Sequence, residues 1–253
     1  MPVLEGAEEF SHHGTAAVGV LFCHGFTGTP QSLRSWAGEV AAAGYHVELP
    51  RLPGHGTTWQ EMNRTGWPQW YGAVDAALTR LRERCGTVFV AGLSMGGCLA
   101  LRLAEEHGDR IGGLVLVNPF VRMSDPKLRL LPVLRRVTGS VRGISSDIKK
   151  PDTLELAYDR TPLHALASLL LMSAGVVQKL DTVTQPVLLL RSVTDHVVPA
   201  DNGPLILDRI SSTDVTQVLL EDSYHVATLD HDADRIVKES LAFFGRLSGV
   251  TKS

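Results

Sequence analysis

Two kinds of apolar pattern alternate along the chain. Short continuous runs rich in β-branched residues occur at Val18-Gly19-Val20-Leu21-Phe22-Cys23, Tyr45–Leu49, Thr87–Ala91, Ile111–Val117, Val187–Leu190 and Val215–Leu220. Such runs, bounded by Gly and Pro, predict buried strands. Between them the apolar positions shift to helical spacing. Trp70, Val74, Ala77, Leu78 and Leu81 form one stripe within Trp67–Arg84. Further helices are expected from about Ser32 to Ala43 with Gly44 as their stop, from the Gly92–Gly97 turn to about Glu106, and from about Ala233 to Phe244. Strands buried on both faces and alternating with helices imply an α/β domain, with a mostly parallel central sheet and helices on both faces.

The rhythm breaks at 120–184, after the strand at 111–117. From 120 to 150 eight basic residues (Arg122, Lys127, Arg129, Arg135, Arg136, Arg142, Lys149, Lys150) face only Asp125 and Asp147. From Pro162 onward the stretch becomes apolar and helical. A structureless loop of this length is improbable in a compact domain. The expectation is a core formed by 1–119 and 185–253, with 120–184 inserted as a small helical cap. Its basic face either is a solvated surface or makes transient contact with anionic lipid surfaces.

Composition narrows the function classes. The 253 residues are 44% hydrophobic and 20% charged with a formal net charge of −3, so no global basic field argues for nucleic acid. Cys23, Cys85 and Cys98 form no C-x-x-C pair, which implies neither a disulfide framework nor a zinc site. The first residues carry no basic n-region or apolar h-region, and the apolar stretch Leu163–Val177 is too short to span a bilayer. The expected setting is cytoplasmic. No phosphate loop, dinucleotide fingerprint or metal cluster is present in the sequence, so the chemistry is expected to need no cofactor and no metal.

Gly92-Leu93-Ser94-Met95-Gly96 is a G-x-S-x-G string. The string alone is weak, but here it follows a strand and opens a helix, the context a nucleophile elbow requires. Two glycines let strand and helix approach around a strained Ser, and the helix N-terminus favours developing negative charge. A serine nucleophile needs a base and a group that orients it, in the chain order Ser, acid, His. Asp195 follows one strand and His225 follows the next, both at the carboxyl edge where open α/β sheets bind ligands. Asp201, Glu221 and Asp222 are alternative acids. His196 adjoins Asp195 in sequence, and His107 and His231 fall on helix ends. The oxyanion donors expected are the backbone N–H groups of Met95 and Phe26, with His24 fixing the latter's loop.

These residues resemble the bacterial monoacylglycerol lipases and the related small carboxylesterases of the α/β-hydrolase superfamily. The resemblance spans nearly the whole chain. It rests on Val20 to Pro30, Gly92 to Gly97, Asp195-His196-Val197-Val198-Pro199 and Ser223 to Asp230. The cap stretches Ser146 to Asp152 and Glu155-Leu156-Ala157-Tyr158 point more narrowly to the lipases. The resemblance implies an α/β-hydrolase fold and a Ser94–His225–Asp195 triad. It also implies Glu155 as a contact for the glycerol of a small lipid ester, and Ile144 as a residue narrowing the passage between acyl tunnel and alcohol pocket. On residues alone, Glu155 reads more readily as a solvated helix charge, and only the resemblance brings the two readings level. The basic stretch 120–142 departs from the family pattern.

The expected activity is therefore hydrolysis of a carboxylic ester, with monoacylglycerol as substrate. A carboxylesterase without glycerol recognition, an acyl transferase and a ligand receptor on the same fold are the alternatives. The sequence fixes neither acyl-chain length nor oligomeric state.

Overall fold

The computed structural model describes residues 2–143 and 146–249. Ile144, expected at the passage between tunnel and alcohol pocket, lies outside the described residues. In chain order the elements begin with β1 (Phe10–His12), β2 (Val18–Cys23), α1 (Gln31–Ala42), β3 (His46–Leu49), α2 (Trp59–Met62) and α3 (Trp67–Arg82). They continue with β4 (Thr87–Leu93), α4 (Met95–His107), β5 (Gly113–Val117), α5 (Leu131–Val137), β6 (Ser140–Arg142) and β7 (Arg160–Pro162). The last are α6 (Leu163–Lys179), β8 (Val187–Ser192), α7 (Asn202–Arg209), β9 (Val215–Leu220) and α8 (Ala233–Ser248).

Seven strands form one sheet in the order β1-β3-β2-β4-β5-β8-β9, and every pair except antiparallel β1/β3 is parallel. The strand alternation explains its two cores. Val18, Val20 and Phe22 of β2 point to one face, where Leu33, Trp36, Val40 and the α8 residues Ile236, Phe243 and Phe244 pack. Leu21 and Cys23 point to the other, against Trp70, Val74 and Leu78 of α3 and Leu99 and Leu103 of α4. β4, β5 and β8 divide their side chains in the same way. With helices on both faces, an apolar residue is buried at every position, which is why these strands read as continuous runs.

The expected α/β architecture is observed, with local differences. Gly44 has φ +93°, the left-handed backbone its role as helix stop requires. The fifth strand starts at Gly113, two residues later than expected, and α8 runs on to Ser248. β1 and α2 have only three and four residues, too few to leave a period in the sequence.

Among the described residues, segment 120–184 adds no strand to the central sheet. Besides helices it contains the antiparallel pair β6/β7, where the sequence suggested helices alone. Helical backbone continues past α6 as a 3₁₀ turn, so Leu163–Thr182 has 20 residues, with a mean hydropathy of 1.4 over its most apolar 18. That run is long and apolar enough to cross a membrane by length and composition, contrary to the expectation from Leu163–Val177. Its inner face, Ala165, Leu169, Met172 and Val176, lies in the same core as α3 and α4. The Trp67 N–H at the start of α3 donates to Ser168 Oγ at 2.9 Å, tying the two helices.

Candidate active site

Four of the expected site residues follow the carboxyl ends of four strands: Phe26 after β2, Ser94 after β4, Asp195 after β8 and His225 after β9. Register brings these ends level, since Cys23 pairs with Gly92, Leu93 with Val117, Val117 with Leu190, and Ser192 with Leu220.

Ser94 sits at φ 55°, ψ −118°, a conformation that costs a non-glycine residue strain. The surroundings hold it there. Its N–H donates to Val117 O (3.0 Å), and its carbonyl accepts from Gly97 N (2.9 Å) and Phe120 N (3.1 Å). A Cβ on Gly96 would lie 1.8 Å from Cys23 O, and one on Gly92 would lie 2.3 Å from the Gly96 carbonyl. Neither backbone could move without opening the strand–helix turn, so the G-x-S-x-G glycines are required by packing.

His225 Nδ1 is 2.9 Å from Asp195 Oδ2, and both side chains are about nine-tenths buried. Asp195 Oδ1 accepts the Val197 and Val198 N–H groups, each at 2.8 Å. Burial alone raises the Asp195 carboxyl. The His225 hydrogen bond and charge, with the two amides, outweigh that and leave it below the ordinary carboxylate range. Four of the competing residues are engaged elsewhere: Asp201 pairs with Arg122, Asp222 with Lys149, His107 with Asp75, and His196 with Asp147.

Ser94 and His225 line a cavity of about 600 Å³ together with Gly25, Phe26, Thr27 and Glu155. Much of its lining is apolar, including Leu128, Leu131, Leu134, Leu163, Leu166 and Leu169, with Asp125, Lys127 and Arg142 also on its wall. The volume falls in the range of small-ligand sites, and the lining combines a largely apolar wall with a few polar groups. The α6 residues Leu163 and Leu169 thus serve both the packed helix and the cavity wall.

Glu155 is partly buried, and its N–H donates to Ser146 Oγ at 3.0 Å. Gln31 holds the flanking peptides: its Nε2 donates to Leu154 O (3.2 Å), and its Oε1 accepts from Leu156 N (3.0 Å). Burial pushes the Glu155 carboxyl up to about 7, opposed in part by the charge of His225 and a hydrogen bond from the Ser146 backbone. The group is thus poised between acceptor and donor near neutrality.

His24 acts as a structural residue. Its Nε2 accepts the Leu52 N–H (3.2 Å), which leaves the proton on Nδ1, 3.0 Å from Gly25 O. This fixes the loop that carries Phe26. Sequence reasoning missed Asn118, whose Oδ1 accepts the Ser192 N–H (2.7 Å) while Nδ2 donates to His225 O (2.8 Å). The side chain ties the end of β8 to the His225 loop. Its position at the end of β5 was the available signal.

The family model described as "Serine aminopeptidase, S33", a hydrolase family, matches residues 15–232. The chain belongs to this family. It is 45% identical over 254 aligned residues to the thermostable monoacylglycerol lipase of Bacillus sp. (strain H-257), covering 98% of each chain. It is 25% identical to the carboxylesterase of Bacillus subtilis (strain 168), covering 90% of this chain and 92% of the relative. Among solved structures, a metagenome-derived lipolytic enzyme superposes with a TM-score of 0.94 at 43% identity, covering 97% of this chain and all of the other. The fold is that of the α/β-hydrolases.

Proposed function

We propose that the chain hydrolyses monoacylglycerols to fatty acid and glycerol through an acyl-enzyme on Ser94. One observation carries this reading: a carboxylate, Glu155, shares with Ser94 and His225 a cavity whose lining is otherwise largely apolar. A monoacylglycerol has the complementary halves, a hydrocarbon chain and two free hydroxyls. The 45% identity to a monoacylglycerol lipase over 98% of the chain supports the same substrate class.

In the proposed mechanism Ser94 Oγ attacks the ester carbonyl while His225 Nε2 takes its proton. Asp195 holds Nδ1–H and stabilises the imidazolium. The N–H groups of Phe26 and Met95 receive the oxyanion, helped by the amino end of α4. Collapse breaks the carbonyl–alkoxy bond, and His225 returns the proton to the departing glycerol. Water deprotonated by His225 then releases the fatty acid and regenerates Ser94. No step consumes a cofactor. The reading includes a cytoplasmic enzyme whose segment 120–184 caps the site and touches lipid surfaces at most transiently.

Ser94→Ala removes turnover and covalent labelling by a fluorophosphonate in this scheme; retained labelling places the nucleophile elsewhere. Substrate class is read by comparing a monoacylglycerol with the ethyl ester of the same acid, in wild type and Glu155→Ala. The expected result is a preference for the glyceryl ester that the substitution abolishes. Equal rates on both esters, unchanged in the variant, would instead favour a carboxylesterase without glycerol recognition, the reading supported by the Bacillus subtilis relative.

A further inference from the structure

Asp147 lies in segment 120–184, far in sequence from both strands that present the acid and the base. Its carboxylate nevertheless touches both loops. Oδ2 accepts the N–H of His225 (3.1 Å) and the N–H of His196 (3.2 Å), the residue directly after Asp195. Oδ1 lies 2.8 Å from His196 Nδ1, and the Asp147 carbonyl accepts the Val226 N–H at 3.1 Å. The Asp147 side chain is 11% exposed, whereas that of His196 is 53% exposed. The His196 ring stands edge-on against Tyr224, with centroids 4.7 Å apart.

We propose that Asp147 is a positioning residue for the reaction, fixing the His225 main chain against the Asp195 loop through one shared carboxylate oxygen. The inference rests on the roles proposed above for Ser94 and His225. The His225–Asp195 hydrogen bond fixes the ring only relative to the two loops that carry it. Those loops follow neighbouring strands, β8 and β9, but project beyond the ladder where backbone pairing has ended. Asn118 and Ser192 tie the end of β8 to the His225 loop, and a bond from each loop to the single Asp147 anion adds a link farther out, at the residue next to Asp195. Both bonds are charge-assisted; the one from His225 is part-buried and the one from His196 is exposed.

The next residues extend the seam without duplicating it. Lys149 N and Lys150 N donate to the Asp230 carboxylate (2.7 and 2.9 Å), which also accepts Tyr224 N at 2.9 Å. Among the described residues, Asp230 therefore fastens the inserted segment to the His225 loop and not to the Asp195 loop. Among these contacts Asp147 is the link common to segment, acid and base. Losing it frees the imidazole to drift, and a misplacement of about 1 Å can cost about 100-fold in rate.

The test uses steady-state kinetics with a soluble ester and the rate of inactivation by a fluorophosphonate, which reports Ser94–His225 competence directly. Asp147→Ala is expected to lower kcat and the inactivation rate in parallel by about 30- to 100-fold, with KM within about twofold of wild type. Asp147→Asn keeps one oxygen for the two amides and is expected to recover activity to within about fivefold. His196→Ala leaves both amide bonds in place and is expected to stay within about twofold. Thermal melting checks folding, and Asp147→Ser replaces the Ala variant if that one does not fold.

A folded Ala or Ser variant with unchanged kcat and labelling overturns the proposal, as does a change confined to KM. Equal losses in Ala and Asn would also overturn it, by assigning the effect to charge. A His225→Ala control that labels at the wild-type rate is a separate result. It would displace the Ser94–His225 reading itself.

Discussion

The carboxylate of Glu155 lies over the bare backbone of Gly28: a Cβ built on Gly28 would meet Glu155 Oε1 at 2.6 Å. The atom in the way is the end of a flexible side chain, and no other atom stands closer than 3.5 Å. Gly28→Ala should therefore fold with little loss and displace the carboxylate instead. The expected outcome is a several-fold rise in KM for a monoacylglycerol, about 1 kcal/mol of binding, with the ethyl ester of the same acid unaffected. Parallel changes on both esters would mean that Glu155 does not read the alcohol.

Because burial holds the Glu155 carboxyl near 7, its state changes across the ordinary assay range. Below that value the acid is neutral; above it the carboxylate accepts charge-assisted bonds from two hydroxyls, which are the stronger kind. KM for a monoacylglycerol should fall as pH rises from 6 to 8, and Glu155→Gln should flatten that dependence. The stability effect has the opposite sense. The folded group keeps its proton above the unfolded carboxyl value of 4.5, so folding loses stability as pH rises from about 4.5 through 7. At pH 8 the Gln variant should melt higher, by roughly 1–3 kcal/mol of stability, while losing glyceryl preference. A variant no more stable than wild type at pH 8 would remove the burial argument.

Asp195 is held below the ordinary carboxylate range and oriented by two amides, so its charge and its geometry separate cleanly. Asp195→Asn keeps the shape but presents an N–H, or the wrong histidine tautomer, at His225 Nδ1. The proposed triad predicts a fall in kcat of about 10³- to 10⁴-fold with KM little changed. Asp201→Asn, at the exposed pair with Arg122, should leave kcat within about twofold. The reverse ranking would reassign the acid.

The core was legible in the sequence because its strands are buried on both faces. Val18–Cys23 and Thr87–Leu93 are apolar at nearly every position and lead into turns that glycines mark, and β8 opens with the apolar run Val187–Leu190. Ser94, Asp195 and His225 could be named for the same reason: all three lie just beyond strand ends. What stayed hidden is held by long-range hydrogen bonds that leave no period. Asp147 bonds across 78 residues to His225, Asn118 across 107, and Gln31 across 125 to Leu156. An Asp or Asn in a loop looks the same whether it faces water or a catalytic loop. The length of α6 was misjudged because its polar end, Gln178 to Thr182, continues the helical path after the apolar signal has faded.

His24 gives the last prediction, on acid stability. The ring is fully buried, and Nε2 must stay unprotonated to accept the Leu52 N–H. Desolvation, opposed by the Gly25 hydrogen bond, lowers its value from 6.5 to about 4. In the window between those values the unfolded chain binds a proton that the folded chain does not. Stability is therefore fully present above about 6.5 and is lost as pH falls towards 4. The shift corresponds to about 3 kcal/mol over the whole window, of which about 2 kcal/mol is lost by pH 5. His55, buried against His24 and lowered well below 6.5 by burial, acts with the same sign. Urea unfolding at pH 8, 6.5 and 5 should show this decline, and His24→Gln should start less stable but fall less steeply. A slope unchanged in the variant would assign the acid sensitivity to other groups.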